Sequence, residues 1–407
     1  MAYRGESPIV IAGAGIAGLT MAIALARRGI ITRVFEQAPK LEAFGAGLQI
    51  SPNAARILTD LGVLPHLRPH AVQPQAVRLK DANTLRELAS VPLGKFAEQR
   101  WNAPYLVSHR ADLQQALLTE ARSRPEIEIN TGMKLAEVSR ERSGHVIASF
   151  GDPEGNTTTA ESQLLIGADG VWSASRRFVE RSARNRFSGQ IAWRTTIETN
   201  SSAGEAFRRL ADSDSVTTFV HASFHLVAYP LRAGAEINLV AFTPAMDIAQ
   251  SWAVQAEMSI LLHAVARSSP ALARLVEMAG HWTAWPLHTV DPAASWTAPG
   301  IALIGDAAHA VTPFAAQGAA MAIEDAALLA QYIAELTAPE QSAISLWEQQ
   351  RKARLSKVAR RGALNKMAWN AAGPVALARN LVLRMRSPQS LATDLDWLYG
   401  WRLPQER

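Results

Sequence analysis

The chain has 407 residues, of which 48% are hydrophobic and 19% charged, and its formal net charge is +5. A chain of this length suits a large core divided between two interleaved domains. The absence of cysteine excludes disulfides, thiolate catalysis and Cys-based metal sites, and it fits a reducing, cytoplasmic location.

An uncharged apolar run extends from Ile9 to Ala26, close to the N-terminus. Its length approaches that of a membrane span, and its position is that of a signal peptide. It contains Gly13, Gly15 and Gly18, however, which suit a strand-to-helix turn better than a spanning helix. We therefore expect neither an integral membrane segment nor a targeting signal.

These glycines lie at G-x-G-x-x-G spacing between predicted elements. The pattern predicts a buried strand at 8–12, a helix at 16–28 and a second strand at 31–35, which ends at Glu36. Gly13 permits a tight turn, Gly15 lets the backbone approach a diphosphate, and Gly18 allows close helix packing. Glu36 would bind ribose hydroxyls. The pattern indicates dinucleotide binding but does not separate NAD from FAD.

The following segment is organised in shorter elements. A glycine-rich stretch at 45–62 suits either contact with a flat ligand or a plain loop before a helix at 53–61. Two strands are predicted at 75–79 and 85–91, and a strand at 105–108 leads into a helix at 111–122. Arg110, at that junction, could reach a phosphate or form a surface ion pair.

The middle of the chain changes character. Short strands are predicted at 134–139, 145–150 and 157–161, followed by a buried strand at 163–166 that leads into 167–176. Longer strands follow at 190–198, 215–220, 221–230 and 237–242, with helices at 251–265 and 270–278. This pattern predicts a separate, mainly antiparallel sheet region.

The chain then returns to the first domain through a buried strand at 301–304. Asp306 follows that strand and could accept hydrogen bonds from a sugar hydroxyl or cap a helix. A loop containing Pro313 precedes a helix that begins near Gly318 and Ala319. Free N–H groups at such a helix start attract an electron-rich ligand.

After Glu348 the sequence is basic, and the next acid is Asp394. This stretch could form a nucleic-acid or anionic-membrane patch, but apolar residues separate its cations and no nucleic-acid motif accompanies them. A solvated helix face or a subunit interface is the favoured interpretation, and no nucleic-acid partner is expected.

The sequence resembles the single-component FAD-dependent aromatic hydroxylases because it carries three of their motifs in order. These motifs are Gly13/Gly15/Gly18, the DGxxSxxR run 169–176, and Gly305-Asp306 followed by Pro313 and Gly318. The likeness reaches 396–400 and is nearest the salicylate, 3-hydroxybenzoate and 6-hydroxynicotinate hydroxylase branch. It implies an α/β fold with a Rossmann-type FAD-binding domain (1–74, 101–182, 287–370). This domain would be interleaved with a mainly antiparallel substrate-binding domain (75–100, 183–286), and C-terminal helices would occupy 371–407.

The resemblance also implies residue roles. Glu36 would hold the adenosine ribose, Arg110 the diphosphate region, and Asp306 the ribityl or diphosphate side. Asp169 belongs to a motif associated with FAD and transient NAD(P)H, and the helix start at Gly318 would face the flavin N1–C2=O region and stabilise the anionic reduced flavin. The expected cofactor-binding residues are Gly13, Gly15, Ala17, Gly18, Glu36, Gln37, Arg110, Asp169, Gly305, Asp306, Pro313, Gly318 and Ala319.

For substrate, the strand 221–230 matches one that carries a His and a Tyr four residues apart. His225 and Tyr229 would lie on one side of the strand, with Cα atoms about 13 Å apart, enough to bracket a benzene-sized ligand. The same spacing prevents His221 and His225 from sharing a metal, and no metal site is expected. Gln317 aligns with a glutamine that approaches substrate, whereas a role for Arg194 in binding a carboxylate has less support.

The implied reaction is hydroxylation of a small hydroxybenzoate- or hydroxypyridine-like ring with NADH or NADPH and O2, through a flavin C4a-hydroperoxide. His225, with Tyr229, would act as general base or proton relay for the ring hydroxyl. The enzyme could be a homodimer.

Four alternatives differ in class. An NAD-dependent dehydrogenase leaves the second and third motifs unexplained, and a flavin halogenase requires a WxWxIP run that 282–286 does not supply. A non-enzymatic FAD-binding module would leave His225 and Tyr229 without a role. The basic C-terminal stretch would support a flavoprotein that acts on a lipid-like, quinone-like or polycyclic substrate at a membrane surface.

Overall fold

The computed structural model describes residues 7–41, 47–142, 144–245, 258–335 and 341–404. The described strands are β1 (Ile9–Ala12), β2 (Thr32–Glu36), β3 (Gly47–Ile50), β4 (Ala76–Asp81), β5 (Glu87–Pro92), β6 (Leu106–His109), β7 (Ile127–Thr131), β8 (Lys134–Arg140), β9 (Val146–Gly151), β10 (Thr157–Ser162), β11 (Leu165–Gly167), β12 (Asn185–Glu198), β13 (Val216–Val220), β14 (His225–Leu231), β15 (Glu236–Pro244), β16 (Thr283–Val290), β17 (Thr297–Ala298) and β18 (Ile301–Leu303). The described helices are α1 (Ile16–Ala26), α2 (Pro52–Asp60), α3 (Leu64–Leu67), α4 (Lys95–Trp101), α5 (Arg110–Arg122), α6 (Ser202–Arg208), α7 (Ser259–Val265), α8 (Pro270–Met278), α9 (Asp306–His309), α10 (Gly318–Ala334), α11 (Gln341–Trp369), α12 (Gly373–Arg384), α13 (Pro388–Thr393) and α14 (Asp396–Tyr399). None of these helices combines the length and apolar composition needed to cross a bilayer.

The described strands form a six-stranded sheet in the order β17-β18-β11-β1-β2-β7. Its strands are parallel except for the edge strand β17. β1 is fully buried, and α1 is buried along its whole length between the sheet and the neighbouring helices α5 and α10. A parallel sheet with a helix between its first two strands is the predicted Rossmann-type unit, which the structure therefore confirms. Burial on both faces explains why β1 is a continuous apolar run in the sequence.

A seven-stranded sheet has the order β16-β12-β15-β14-β13-β4-β5 among the described strands. All its pairs are antiparallel except β13 with β4. Side chains of one face, such as Leu226 and Ala228, pack in one apolar core with residues of α6, α7 and α8. The opposite face carries His225 and Tyr229, as the alternation of a strand predicts. The predicted α/β fold with an interleaved, mainly antiparallel sheet is therefore confirmed.

Some predicted boundaries differ from the structure. The strand predicted at 221–230 begins only at His225, so its first four residues were wrongly assigned. In their place a tight turn forms, because His221 N donates to Phe224 O and Ser223 N donates to the imidazole of His221. Of the helix predicted at 251–265, residues 251–257 lie outside the described part of the chain, as do 45 and 46 of the glycine-rich stretch. The proposed domain limits stay a prediction.

Candidate active site

The glycine turn after β1 has three differently constrained positions. Gly13 has φ +106°, and a Cβ there would lie 2.5 Å from Ala168 O. A Cβ on Gly18 would lie 1.9 Å from Gly13 O, so both positions require glycine for packing. Gly15 has an ordinary φ of −77°, and the place of its Cβ is open for 4 Å. The opening lies at the N-terminus of α1, where free N–H groups favour a phosphate.

Glu36 closes this turn from the end of β2. Its carboxylate accepts from Ala14 N at 2.8 Å and from Ala38 N at 2.9 Å, which holds it beside the start of α1. Each carboxylate oxygen keeps a lone pair for a ribose hydroxyl. Gln37, the next residue, is exposed. Arg110 is also exposed and is the first residue of α5, whose N-cap is His109.

The 169–176 loop is organised by its own side chains. Asp169 accepts hydrogen bonds from Ser173 Oγ, Ala174 N and Ser175 N at 2.5–2.9 Å. Arg176 then reaches across to the third motif, where its guanidinium donates to the carbonyl oxygens of Asp306 and Ala307, as well as to Gly170 and Val171. The second and third motifs thus form one pair of joined loops. A role of Asp169 toward FAD or NAD(P)H stays a prediction.

The third motif turns sharply at Gly305, where φ is +58°. Gly305, and not Asp306, occupies the N-cap of α9, so the capping alternative for Asp306 was wrong. The Asp306 side chain is exposed, as a residue that binds sugar hydroxyls requires. A Cβ on Gly305 would lie 3.1 Å from the side chains of Ala17 and Ala322, which shows how closely α1 and α10 meet there.

The start of α10 is open. Pro313 begins a short 3₁₀ helix, Ala316 has φ +51°, and α10 begins at Gly318 without a side-chain cap. No atom lies within 4 Å of the place of a Cβ on Gly318. This helix start therefore presents uncapped N–H groups beside free space, the arrangement that an anionic ring edge requires.

Gln317 precedes that helix and points into the interior. Its buried amide exchanges hydrogen bonds with Ser51 Oγ and accepts from Asn53 Nδ2 at 3.2 Å. Asn53 also donates to Glu324 at 2.7 Å. The amide of Gln317 thus joins α10 to the start of α2, and its predicted approach to substrate is untested.

Behind the loops lies a buried ionic network that sequence reasoning missed. Glu324 and Asp325 are fully buried on α10 and bind the guanidinium of Arg351 at 2.7 Å each, and Arg354 binds Glu324 at 2.9 Å. The interpretation of the basic stretch as a solvated face or interface is wrong for Arg351 and Arg354, because these cations neutralise buried carboxylates. In the sequence, the adjacent acids Glu324 and Asp325 within an otherwise apolar helix could have indicated this network.

Asp325 connects this network to the Gly305 turn. It accepts from Gly305 N at 3.0 Å and contacts His309 Nε2 at 2.5 Å. Burial raises the pKa of Asp325, but His309 and Arg351 together bring it to about 2. The carboxylate is therefore charged throughout the physiological range and fixes the loop that carries Asp306.

His225 lies on the face of the seven-stranded sheet opposite α6, α7 and α8, and aromatic rings surround its imidazole. Its ring stacks on Phe242 at 4.4 Å and lies 4.9 Å from Phe314 and 5.2 Å from Trp369. The side chain is 2% exposed, and burial lowers its pKa to about 3. Phe314 belongs to the turn before α10, so the sheet and the third motif meet at this histidine.

Tyr229 lies two strand positions beyond Val227 on the same face. Its ring packs against the backbone of Gly47, where a Cβ would lie 2.6 Å from Tyr229 Cε2. Burial raises the pKa of Tyr229, and the neighbouring Arg194 opposes that shift. The guanidinium of Arg194 also lies 5.9 Å from the Trp285 ring.

This face also carries buried polar atoms that have no hydrogen-bond partner among the described residues. They are Gln190 Oε1 and Arg194 Nε on β12 and Asn238 Nδ2 on β15. Buried polar groups left without partners are costly, so a bound ligand or an ordered water should satisfy them. Together with the openings at Gly15 and Gly318, they fit a long, flat, polar cofactor and a polar substrate.

The neutral state of His225 gives a pH prediction. The unfolded chain takes up a proton on this imidazole below pH 6.5, whereas the folded chain does so only near pH 3, so stability falls as the pH drops. Between pH 7 and pH 5 this group should remove about 2 kcal/mol from the free energy of unfolding. His225→Phe should flatten the acid side of the stability profile by that amount in urea titrations. An unchanged slope would contradict a buried neutral histidine.

Comparisons with known proteins agree with this geometry. Residues 6–362 match the family described as FAD binding domain. The chain is 30% identical to 3-hydroxybenzoate 6-hydroxylase of Polaromonas naphthalenivorans over 98% of this chain and 97% of that protein. It is 31% identical to 6-hydroxynicotinate 3-monooxygenase of Bordetella bronchiseptica over 88% and 91% of the two chains. A salicylate hydroxylase substrate complex has the same fold, with a TM-score of 0.78 at 22% identity over 98% and 97% of the chains.

The motifs, the fold and these relatives agree on the cofactor and the class of enzyme. The chain belongs to the family of FAD-dependent aromatic hydroxylases, the flavoprotein monooxygenases.

Proposed function

We propose that this enzyme hydroxylates a small aromatic ring that carries a hydroxyl and a carboxylate, with NADH or NADPH as reductant and O2 as oxidant. The supporting observation is the contact of His225 with Phe314, because the imidazole then lies beside the turn that leads to the open start of α10. The relatives named above act on a hydroxybenzoate and a hydroxynicotinate, which both carry these two groups.

Arg194 suits the carboxylate of such a substrate. Its Nε is buried and has no hydrogen-bond partner in the part of the chain that the structure describes, and burial lowers the pKa of the guanidinium while Tyr229 opposes that shift. A buried cation without a paired anion is costly, and a bound carboxylate would remove that cost. Tyr229, beside it, would orient the ring through its hydroxyl.

His225 suits the ring hydroxyl. Its low pKa keeps the imidazole neutral at working pH, so an unprotonated nitrogen can accept a hydrogen bond from the ring hydroxyl. As a phenolate forms opposite it, the negative charge raises the pKa of the imidazole and favours proton transfer. Loss of the hydroxyl proton increases the electron density of the ring, which electrophilic hydroxylation requires.

FAD, when bound, supplies the transfer of electrons from NAD(P)H and the activation of O2. The chain supplies its surroundings. Residues from Gly13 to Glu36 would hold the adenosine and diphosphate, and the start of α10 at Gly318 would offer N–H groups to the ring edge. Phe242, Phe314 and Trp369 exclude water around His225, which protects the oxygen chemistry from side reactions.

The direct test is NAD(P)H oxidation by the purified yellow protein with a panel of hydroxybenzoates and hydroxypyridines, followed by product identification. We expect NAD(P)H oxidation to accelerate with one carboxylated member and to give a ring-hydroxylated product. A panel arm with quinone-like and polycyclic phenols tests the second substrate class. Turnover of that arm alone would overturn the small-substrate assignment.

His225→Gln should retain FAD and lower hydroxylation by roughly 10²-fold or more, because the amide cannot take up the hydroxyl proton. Substrate-stimulated NAD(P)H oxidation should persist and become uncoupled, which peroxide formation would measure. His221→Gln is the matched control, since His221 lies in the preceding turn and bonds Ser223. Wild-type product formation by His225→Gln would contradict the proton-acceptor role.

A further inference from the structure

Large apolar side chains are exposed at the end of α11 and along α12. Each is between 56% and 78% exposed, and they account for most such side chains among the described residues. We call this set the C-terminal apolar surface: Leu364, Met367, Val375, Leu377, Leu381, Val382 and Met385.

α12 turns most of its large apolar side chains outward. None of its residues is buried, and the half-buried ones are Ala376, Arg379, Asn380 and Leu383. At 100° per residue, the members of the surface from 375 to 385 lie within an arc of about 160° that faces away from the protein. Arg379 fixes this orientation by donating to Ala368 O at 2.7 Å and to Trp369 O at 3.4 Å. An apolar stripe of this width requires an apolar partner.

The charges that this stretch of the chain places around the surface are positive, and the acid beside α12, Asp81, lies against the half-buried residues Arg379 and Asn380 on its inward side. No acid occurs from 349 to 393. Four exposed cations adjoin the surface along the chain and have no ion-pair partner among the described residues: Lys357, Arg360, Lys366 and Arg384. The nearest following acid, Asp394, is engaged by Arg386.

We propose that the C-terminal apolar surface docks on an anionic lipid bilayer, with α12 lying in the plane of the interface. An outward apolar arc with a cationic border is the pattern of interfacial helices that bind such surfaces. A two-fold contact between copies of this chain would bring the same cations together, with no acid from 349 to 393 to pair with them, and like charges in contact oppose association. The charge therefore favours lipid over a second copy.

The surface also adjoins the active site. Asn365 Nδ2 donates to Phe314 O at 2.9 Å, and Trp369 contacts His225. Docking would therefore place one of the aromatic rings around His225 close to the bilayer. The proposal does not depend on the substrate assigned above.

The test is sedimentation of the FAD-loaded full chain with vesicles of phosphatidylcholine alone or with one-third phosphatidylglycerol. We expect binding to the anionic vesicles at least about tenfold stronger than to the neutral ones, and weaker binding at high salt. The variant Leu377→Ser/Leu381→Ser/Met385→Ser should lower binding by tenfold or more. Leu346→Ser, which changes an exposed leucine elsewhere on α11, should not.

Light scattering and unfolding curves of the same samples complete the test. The triple variant should unfold like the wild type, because the replaced side chains are exposed. Absence of vesicle binding, equal binding to both vesicle types, or unchanged binding by the triple variant would each overturn the proposal. So would a wild-type dimer that the triple variant converts to monomer, since the surface would then be an interface between copies.

Discussion

Gly15→Val is expected to weaken FAD binding by at least about a thousandfold while the chain still folds. The backbone at Gly15 has an ordinary φ, and the place of its Cβ is open, so a valine fits the free protein. The same space lies at the uncapped start of α1, where we expect the diphosphate of FAD, and a branched side chain there would prevent the backbone contacts. Fluorescence titration of the deflavinated protein with FAD measures the loss.

Gly151→Val is the matched control. Gly151 ends β9, and the place of its Cβ is also open for 4 Å. Its replacement should leave FAD affinity unchanged. If Gly15→Val bound FAD like the wild type, the cofactor would not pass over this turn, and the proposed placement of the dinucleotide would fail.

Arg351→Met should lower the free energy of unfolding by about 3–5 kcal/mol, because it leaves two buried carboxylates with too little positive charge. Glu324 and Asp325 are fully buried, and Arg351 binds both. Because Asp325 also holds Gly305 N, the substitution should weaken FAD binding as well. Urea unfolding with and without FAD separates the two effects.

Arg360→Met makes the same change at an exposed position of α11 and should alter stability by less than about 0.5 kcal/mol. Adding Asp325→Asn to Arg351→Met should recover part of the loss, since Glu324 keeps Arg354 whereas Asp325 is the carboxylate left without an arginine. A loss below about 1 kcal/mol for Arg351→Met would show that water reaches these carboxylates.

The parts of the fold that could be predicted are those set by local sequence. Gly13, Gly15 and Gly18 follow a continuous apolar strand, and packing at Gly13 and Gly18 leaves no room for a side chain. Likewise, the alternation from His225 to Tyr229 predicts which side chains share a face. The identity of the cofactor came from three motifs in series, because no single motif distinguishes FAD from NAD.

The rest depends on contacts between distant residues. Nothing near Arg351 in sequence indicates that it lies between Glu324 and Asp325, since its neighbours resemble those of a solvated helix. Residues 221–224 lie between two strands but form a turn that closes on His221 through Ser223. Trp369, the last residue of α11, contacts His225 on β14, and no periodicity in the sequence predicts that contact.

Arg176 has a consequence for building chimaeras of this family. One guanidinium holds carbonyl oxygens from both the 169–176 loop and the Asp306 loop. A loop transplanted alone from a relative would arrive without its matching carbonyl geometry. Exchanges between relatives should therefore transfer both loops together. Chimaeras that take only one of the two loops from a relative should yield apoprotein.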